Sequence, residues 1–485
     1  MANRSMVLYR KFERLNEVAS PEELQDNELQ EAENVIYDEA GGISKRKGIK
    51  KVNETAYDTN PINRLIDYSK KEQLLVASGT TLREIDGTVI TDGTDPVVFK
   101  NTNFGWEVFS DGKLYLVNGD NYYVYDGEKC TEVTPHDSTS LDHIKRCKYL
   151  VQRGQRLFAA GDPQNPNTIY FSEIGAANHF PDLNTIDAIS DDNDVIMGLT
   201  EFHQAMVAFK KHHIYSWFGW NPEEDVRFDK INVHTGAVSF LTIKRVYNFL
   251  FYMGEDGVYA LHGLEPDYIS SNNLTDEVLK RRFSGLIDTD KACAAFYDGK
   301  YFLSVKTEGT SNDLVLVYDF VRKAWSPWTG WKASSFAVYE NQLYIGSSET
   351  GQVYEQHDKY NDDGKAIHYK LKTKPFPCNY PLQYKKFNYF NLFVGEDAEN
   401  NEIVVTLLCD NKYIQLMNNV QLNTVRVPGA NMFDEEVPEG RTRLYYKKAR
   451  ILAKSLRVQV LIENNEVNEP VTIYGIGFQF WPVRV

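Results

Sequence analysis

The sequence predicts an all-β protein, a β-propeller of six to eight blades with an N-terminal arm and a C-terminal sandwich-like β domain. Three observations predict this class: hairpin patterns recur along the middle of the chain, aromatic residues are abundant, and only one helix signal is convincing. The 485 residues include 30 Tyr, 26 Phe and 7 Trp, an aromatic share of 13%. Tyr and Phe suit half-buried pleated surfaces, so the excess favours strands.

The recurring pattern consists of an alternating apolar run, a turn-forming cluster of Gly, Asn or Asp, and a second run with Tyr or another large residue. Each copy predicts a β-hairpin, because period-2 alternation flanks turn chemistry. The seven copies are EQLLVASGTTLREI at 72–85, KLYLVNGDNYYVYDG at 113–127, QRLFAAGDPQNPNTIYFS at 155–172, QAMVAFKKHHIYSW at 204–217, NFLFYMGEDGVYAL at 248–261, KYFLSVKTEGTSNDLVLVYD at 300–319 and NQLYIGSSETGQVYE at 341–355.

The spacing of these hairpins predicts the propeller. Successive starts lie 41, 42, 49, 44, 52 and 41 residues apart, which leaves room for about two more strands in each unit. A period of this length with several strands per unit is typical of a β-propeller. The repeat assigns residues 61–365 to the propeller, and two stacked β-sandwiches are the alternative.

The N-terminal arm, residues 1–60, carries the helix signal. Ser20 is placed as the N-cap, Pro21 occupies the first helical position and Glu23 stands three residues after the cap. The following segment VIYDEAGGISKRKGIKKV predicts a strand, a turn at Gly41 and Gly42, and a basic strand.

Residues 366–485 lack the propeller period and still contain strand patterns. This composition predicts a second all-β unit of the sandwich type. The predicted strands are KFNYFNLFV, EIVVTLLC, TRLYYKKARI, SLRVQVLIE and VTIYGIGFQFWPVRV.

Charge is distributed unevenly among the three parts. The whole chain has a net charge of -15, while residues 366–485 carry 15 basic and 12 acidic side chains. Residues 61–365 carry 29 basic and 44 acidic side chains, so the acidic excess belongs to the predicted propeller. A nucleic-acid binder that works through a broad basic face would have the opposite sign, so this class is disfavoured for the chain as a whole.

Other classes of site have no support in the sequence. The N-terminus has no apolar stretch typical of a secretory signal, and no run approaches the 18 apolar residues of a spanning helix. The five cysteines are scattered without a CxxC pair, which predicts single buried thiols in a reducing compartment. No metal site, cofactor or catalytic motif is predicted.

Two cationic clusters are candidate contacts for phosphate or an acidic partner. The first is Lys45, Arg46 and Lys47 on the basic strand, which Lys50 and Lys51 extend. The second lies in the turn of one hairpin and consists of Lys210, Lys211, His212 and His213. The alternatives are a solvated strand face for the first cluster and a solvated loop tip for the second.

Two further motifs have structural and functional interpretations. The run Asp191, Asp192, Asn193 and Asp194 is similar to half a calcium loop, but it lacks the Gly and the terminal Glu, which favours an acidic turn. The three tryptophans of KAWSPWTGW, Trp325, Trp328 and Trp331, could stack on a sugar or pack between blades. The apolar strand before them favours packing.

The N-terminal segment ELQEAENVIYDEAGGISKRKGIKKV resembles the opening segment common in tail nozzle and tail-tube proteins of short-tailed bacteriophages. In both, an acidic leader precedes an Asn, an Asp, a Gly turn and a basic strand that ends in Gly. Here these positions are occupied by Asn34, Asp38, Gly41, Gly42, Lys45, Arg46 and Gly48. A propeller of about 300 residues and a final β unit with Gly475, Ile476 and Gly477 follow in similar order. DNA-stabilising plug proteins of the same viruses share this outline.

The resemblance implies a non-enzymatic virion protein, made in the host bacterial cytoplasm and assembled as a homo-oligomeric ring of six copies. The ring would contact the portal, its adaptor and other tail proteins, and double-stranded DNA would pass through it during ejection. An acidic propeller is compatible with this role, because a like-charged wall repels the duplex. Two alternatives remain: a binding module for host glycans or a partner protein, and a propeller glycoside hydrolase with a carboxylate pair.

Overall fold

A computed structural model describes the architecture of the chain. The described residues are 5–38, 41–136, 141–188, 194–218, 229–231, 235–263, 271–395, 401–410, 412–417, 425–426 and 444–483. Nearly every regular element is a β-strand, as the sequence predicts. Of the helices that the structure describes, none has the length and apolar character needed to cross a membrane.

The described residues between 49 and 356 form seven antiparallel sheets, numbered here as blades 1 to 7 in chain order. Each predicted hairpin supplies the second and third strands of one blade, so the β-propeller prediction is confirmed. The first strands are Ile62–Tyr68, Gly105–Val108, Tyr149–Arg153, Ile196–Phe202, Lys244–Val246, Cys293–Tyr297 and Ala333–Tyr339. The second strands are Gln73–Ser78, Leu114–Val117, Arg156–Ala160, Ala205–Lys210, Phe249–Met253, Lys300–Val305 and Gln342–Ser347.

The outer strands complete the blades. The third strands are Thr81–Glu84, Tyr122–Tyr125, Thr168–Phe171, Ile214–Trp217, Val258–Leu261, Leu314–Asp319 and Val353–Gln356. The fourth strands of blades 2 to 6 are Cys130–Glu132, Thr185–Asp187, Asp229–Ile231, Ser271–Asn273 and Ala324–Thr329. Blade 1 has three strands among the described residues.

The ring of blades is closed by a strand from the N-terminal arm. Ile49–Lys51 is the fourth strand of blade 7 and pairs antiparallel with Val353–Gln356. Blade 7 also contacts blade 1, because the backbone N–H of Leu65 donates to Ser335 Oγ at 2.9 Å. Strands from distant parts of the sequence therefore share one blade, which joins the two ends of the propeller.

The C-terminal residues form two facing sheets, to which the N-terminal arm contributes strands. One sheet contains Ser5–Arg10, Val35–Tyr37, Ile43–Lys45, Lys385–Gly395, Val425–Arg426, Leu444–Ser455 and Thr472–Pro482. The other contains Arg14–Leu15, Glu28–Glu33, Tyr369–Thr373, Val404–Cys409, Lys412–Met417 and Val458–Asn464. Phe387, Phe390 and Phe478 of the first sheet share a buried core with Leu407 and Val460 of the second. This arrangement is a β-sandwich.

The same core continues into the propeller. Leu303 and Trp325 of blade 6 belong to the buried cluster that includes the sandwich phenylalanines. Continuous apolar packing of this kind couples two domains more rigidly than a polar interface. The remaining short elements are the α-helices Asp142–Lys145 and Lys280–Phe283, the 3₁₀ turns Ser69–Lys71, Phe240–Thr242 and Thr289–Lys291, and the paired strands Asn361–Asp362 and Lys365–Ala366.

The prediction of a helix after Ser20 is wrong. Ser20 Oγ does donate to Glu23 Oε2 at 2.8 Å, and the Glu23 N–H bonds back to the Ser20 carbonyl, but the chain makes only this one turn. The strand Glu28–Glu33 follows and pairs with Tyr369–Thr373. Burial of Leu29 in the sandwich core outweighs the local helical preference, which is weak for so short a polar segment.

Candidate functional site

The propeller encloses a cavity of about 1010 Å³ on its axis. Each of the described blades contributes to the wall through its first strand or the loop beside it. Representative lining residues are Asn63, Phe104, Tyr149, Met197, Leu241, Lys291 and Ser334. Large concave cavities that collect polar groups from many elements are the usual places for ligands in proteins.

Amide side chains give much of the wall its polar character. Asn101 and Asn118 donate to one another's backbone carbonyls at 3.1 and 3.0 Å. Asn63 donates to Thr102 Oγ1 at 2.8 Å, and Asn312 donates to Ala333 O at 2.8 Å. These bonds hold the lining in fixed positions, so the wall of the cavity is preorganised.

The buried carboxylate in this wall belongs to Asp162. The guanidinium of Arg146 donates to both of its oxygens, at 3.0 and 2.9 Å, and Tyr170 donates to it at 3.1 Å. Burial alone would raise the pKa of Asp162, but these hydrogen bonds lower it to about 2. Asp162 is therefore an ionised member of a structural ion pair.

A second carboxylate lies on an inner strand, outside the residues that line this cavity. Burial raises the pKa of Glu107 on the first strand of blade 2 to about 7, and the nearby carboxylate of Glu201 adds to this rise. Hydrogen bonds from the Val108 and Gln152 backbone oppose the rise only in part. Glu107 therefore titrates near neutral pH, unlike an exposed glutamate.

Glu107 should make the stability of the protein depend on pH. Between about pH 4.5 and 7 the folded state holds a proton that the unfolded state has released, so the free energy of unfolding should fall as pH rises through this window. Replacing Glu107 by Gln should make the free energy of unfolding depend less on pH in this window. Denaturant titrations at pH 5, 6, 7 and 8 measure this, with the exposed Glu128→Gln as control. If the free energy of unfolding changed equally with pH in wild type and in Glu107→Gln, the raised pKa of Glu107 would be contradicted.

The structure places the first predicted cluster at the junction of the two domains. Lys45 is 1% exposed, and its Nζ donates to Asn464 Oδ1 at 2.8 Å and to the Glu466 carbonyl at 2.9 Å. Burial lowers the pKa of Lys45 to about 8. Lys47 donates to the Asp358 carbonyl at 2.9 Å and covers the ring of Tyr360.

Arg46 is fully buried, and all five of its N–H groups are used. Nε donates to Asn34 Oδ1 at 2.8 Å, the two Nη atoms bind both oxygens of Asp362 at 2.9 and 2.6 Å, and the carbonyls of Lys47 and Thr329 accept the remaining bonds. The interpretation of Lys45 and Arg46 as contacts for phosphate or a partner is therefore corrected. Their charges are satisfied inside the chain, because the N-terminal arm is buried between sandwich and propeller.

The second predicted cluster forms the tip of the blade 4 hairpin. Asp194 organises this turn: its carboxylate accepts the backbone N–H groups of Lys211 and His212 at 3.1 and 2.7 Å. Lys210 is buried beside the ring of Tyr215, and Lys211 pairs with Glu255 at 2.9 Å. Asp191, Asp192 and Asn193 lie outside the described residues.

The tryptophan motif packs between structural elements, as its preceding strand favours. Trp325, Trp328 and Trp331 are at most 1% exposed. The guanidinium of Arg46 lies 5.5 Å from the ring of Trp328 and 5.2 Å from that of Trp331. The five cysteines are free and buried, as predicted.

The cationic side chains of the inner strands were missed by the sequence analysis. Arg64 lies in the first strand of blade 1 and Lys244 in that of blade 5. The available signal was a charged residue within an apolar run, such as Arg64 between Ile62 and Leu65. In the part of the chain that the structure describes, no three His, Cys, Asp or Glu side chains group closely enough to hold a metal ion.

Fold and cavity define a β-propeller with seven described blades, fused to a β-sandwich and containing a polar axial cavity. No protein-family model and no curated protein matches the sequence. Among solved structures, the extracellular domain of the putative one component system BT4673 from B. thetaiotaomicron is similar, with 11% identity, a TM-score of 0.46 and 93% of this chain covered. The chain spans 63% of that domain's length. The WD40 domain of Neurospora crassa Pan2 has 8% identity and a TM-score of 0.39, with 62% of this chain and 90% of that one covered.

Proposed function

We propose that this protein is a non-enzymatic structural component of a bacteriophage tail, assembled with further copies into a ring below the portal and its adaptor. The sequence resemblance motivates this proposal. The residues that carry the resemblance have defined structural tasks: Asn34 and Arg46 join the sandwich to blade 6, and Gly48 passes against the Asn361 backbone. The resemblance thus concerns the junction that fixes the architecture.

The observation that carries the ring proposal is a basic and apolar surface on the sandwich, called here the outer face. It is the solvent side of the sheet that contains Ser5–Arg10, Lys385–Gly395 and Leu444–Ser455. Its exposed cations are Arg10, Lys386, Lys448, Arg450 and Lys454. No salt bridge joins any of these five to another described residue.

Exposed apolar side chains accompany these cations. Met6 and Leu8 are 51% and 42% exposed, and Leu452 is 81% exposed. Surfaces that combine apolar groups with unpaired charge are typical of protein contacts, since burial supplies affinity and charge selects the partner.

The acidic propeller of a neighbouring copy is the partner that fits this face. The outer face is basic, and residues 61–365 carry 44 acidic against 29 basic side chains. A contact between two different surfaces of identical chains is heterologous, and such contacts close into rings when the rotation between copies permits. The remaining acidic surface would repel DNA in transit.

The binding-module alternative is favoured by a separate observation, the axial cavity of about 1010 Å³ with its fixed amide lining. Such a cavity suits a polar small molecule or a glycan end. Both functions are compatible in one chain, because the cavity and the outer face belong to different domains.

Reversing charge on the outer face should weaken assembly. We expect wild type to form rings with a central bore in electron micrographs, alone or on the portal–adaptor complex. Lys448→Glu with Arg450→Glu should weaken self-association about tenfold or more, because attraction becomes repulsion. Sedimentation analysis at low and high salt measures the change.

The matched control is Lys359→Glu with Lys365→Glu, which makes the same change in net charge at two exposed lysines outside the outer face. It should assemble like wild type. The ring proposal is overturned if wild type stays monomeric and also fails to bind the portal–adaptor complex. Equal weakening in both double variants would remove the outer face from the contact.

A further inference from the structure

The axial cavity contains an arginine without a carboxylate partner. Arg64, on the first strand of blade 1, lines the cavity. Its Nε donates to the Phe104 carbonyl at 2.9 Å and Nη1 donates to the Asn63 carbonyl at 2.6 Å. These carbonyls fix the guanidinium but leave its charge uncompensated, and a guanidinium has further N–H groups to donate.

Lys244 lies on the first strand of blade 5 and is not among the residues that line the cavity. Its Nζ makes neither a hydrogen bond nor an ion pair with any residue that the structure describes. Burial, and less strongly the positive charge of Arg64, lowers the pKa of Lys244. Both residues are half-buried and have no carboxylate partner among the described residues, and a partly desolvated cation without a partner is costly.

Tyr149 adds a neutral donor from blade 3. Its ring lies 5.1 Å from that of Phe240, which precedes the first strand of blade 5 and also lines the cavity. The Tyr149 side chain lines the cavity. Burial raises its pKa to about 12, and the hydroxyl therefore keeps its proton. No described residue bonds this hydroxyl.

The geometry points to an anion-binding site on the propeller axis, in which Arg64 and Tyr149 hold an oxyanion group of a small polar ligand. Arginine provides planar paired donors and tyrosine a directed hydroxyl, a set suited to a phosphate, sulfate or carboxylate. The asparagine side chains of the cavity wall would contact the uncharged part of the ligand.

The carboxylates that line the cavity do not neutralise the cation of the proposed site. Asp162 is occupied by Arg146, as described above, and Asp290 is exposed beside the cavity. Neither forms an ion pair with Arg64 or Lys244 among the described residues. The inference is independent of the ring proposal, because the site lies within a single propeller.

The test measures thermal unfolding of the full chain at pH 7 with inorganic phosphate, sulfate, glucose 6-phosphate and glucuronate, each against chloride at equal ionic strength. Wild type should gain several degrees in midpoint with at least one anion. A response to phosphate, sulfate and glucose 6-phosphate indicates a tetrahedral group, and a response to glucuronate alone indicates a carboxylate. Neutral glucose should give no shift.

Tyr149→Phe should reduce this gain and leave the midpoint in chloride nearly unchanged, because it removes only a hydroxyl that no described residue bonds. Arg64→Gln should raise at least tenfold the anion concentration that is needed for the same gain in midpoint. Lys148→Met is the control, because Lys148 lines the same cavity but is exposed. The site is overturned if no anion shifts the midpoint of wild type, or if wild type and Arg64→Gln gain equally, which would be a general salt effect.

Discussion

Replacing Arg46 by alanine should lower the free energy of unfolding by about 3–5 kcal/mol, the usual loss when one member of a buried ion pair is removed. Asp362 would keep its charge with little solvent, and the Asn34 and Thr329 oxygens would lose their donor. The Trp328 and Trp331 rings would border a cavity. Denaturant unfolding followed by tryptophan fluorescence measures the loss.

Lysine at position 46 should restore only part of this stability, because an ammonium cannot reproduce the planar fork of bonds to Asp362. The control is Lys50→Ala, which breaks an exposed pair with Glu355 and should cost about 0–1 kcal/mol. If Arg46→Ala does not fold, Asp362→Asn provides a milder test with an intermediate loss. A loss in Arg46→Ala no larger than in Lys50→Ala would refute the role of Arg46.

Replacing Gly48 by alanine should lower the free energy of unfolding by about 3 kcal/mol, at the upper end of the usual cost of forcing extra atoms into a packed site. A Cβ on Gly48 would lie 1.7 Å from the backbone oxygen of Asn361, so the backbone itself must move. Gly48 also accepts the His357 N–H at 3.0 Å and donates to the Lys359 carbonyl at 2.8 Å. A shift here would strain the strand that closes blade 7. Thermal unfolding of the purified variant measures the effect.

Gly285→Ala is the matched control for Gly48→Ala. Neither glycine has a positive φ, and a Cβ on Gly285 would meet only the Arg282 oxygen at 3.6 Å, an ordinary contact. Gly285→Ala should therefore change stability by less than about 1 kcal/mol. Similar midpoints for both variants would show that the chain near Gly48 relaxes easily.

The fold could be predicted from the sequence wherever its cause is local. Alternation and turn residues specify a hairpin within about 15 residues, so each predicted hairpin became the centre of one blade. The prediction of a helix after Ser20 was wrong because a contact between distant residues decided the structure there. The first turn formed, but the strand Glu28–Glu33 follows because it pairs with Tyr369–Thr373, a contact across more than 300 residues.

The sites were less predictable, because burial and partnership depend on distant residues. Arg46 stands within a basic run that suggests solvent or phosphate, yet its partners Thr329 and Asp362 come from far along the chain. Arg64 and Tyr149 belong to different blades, and only the closed ring brings them to the wall of one cavity.

The sequence by itself determined the all-β class, the hairpin period, the buried free cysteines and the acidic excess of the propeller, because these follow from composition and short-range pattern. The tertiary structure decided the closure of blade 7, the fusion of the arm with the sandwich, and which cations are neutralised or left unpaired. These features depend on which distant surfaces meet, since desolvation and pairing set the energy of a charge and neither is a property of its neighbours in sequence.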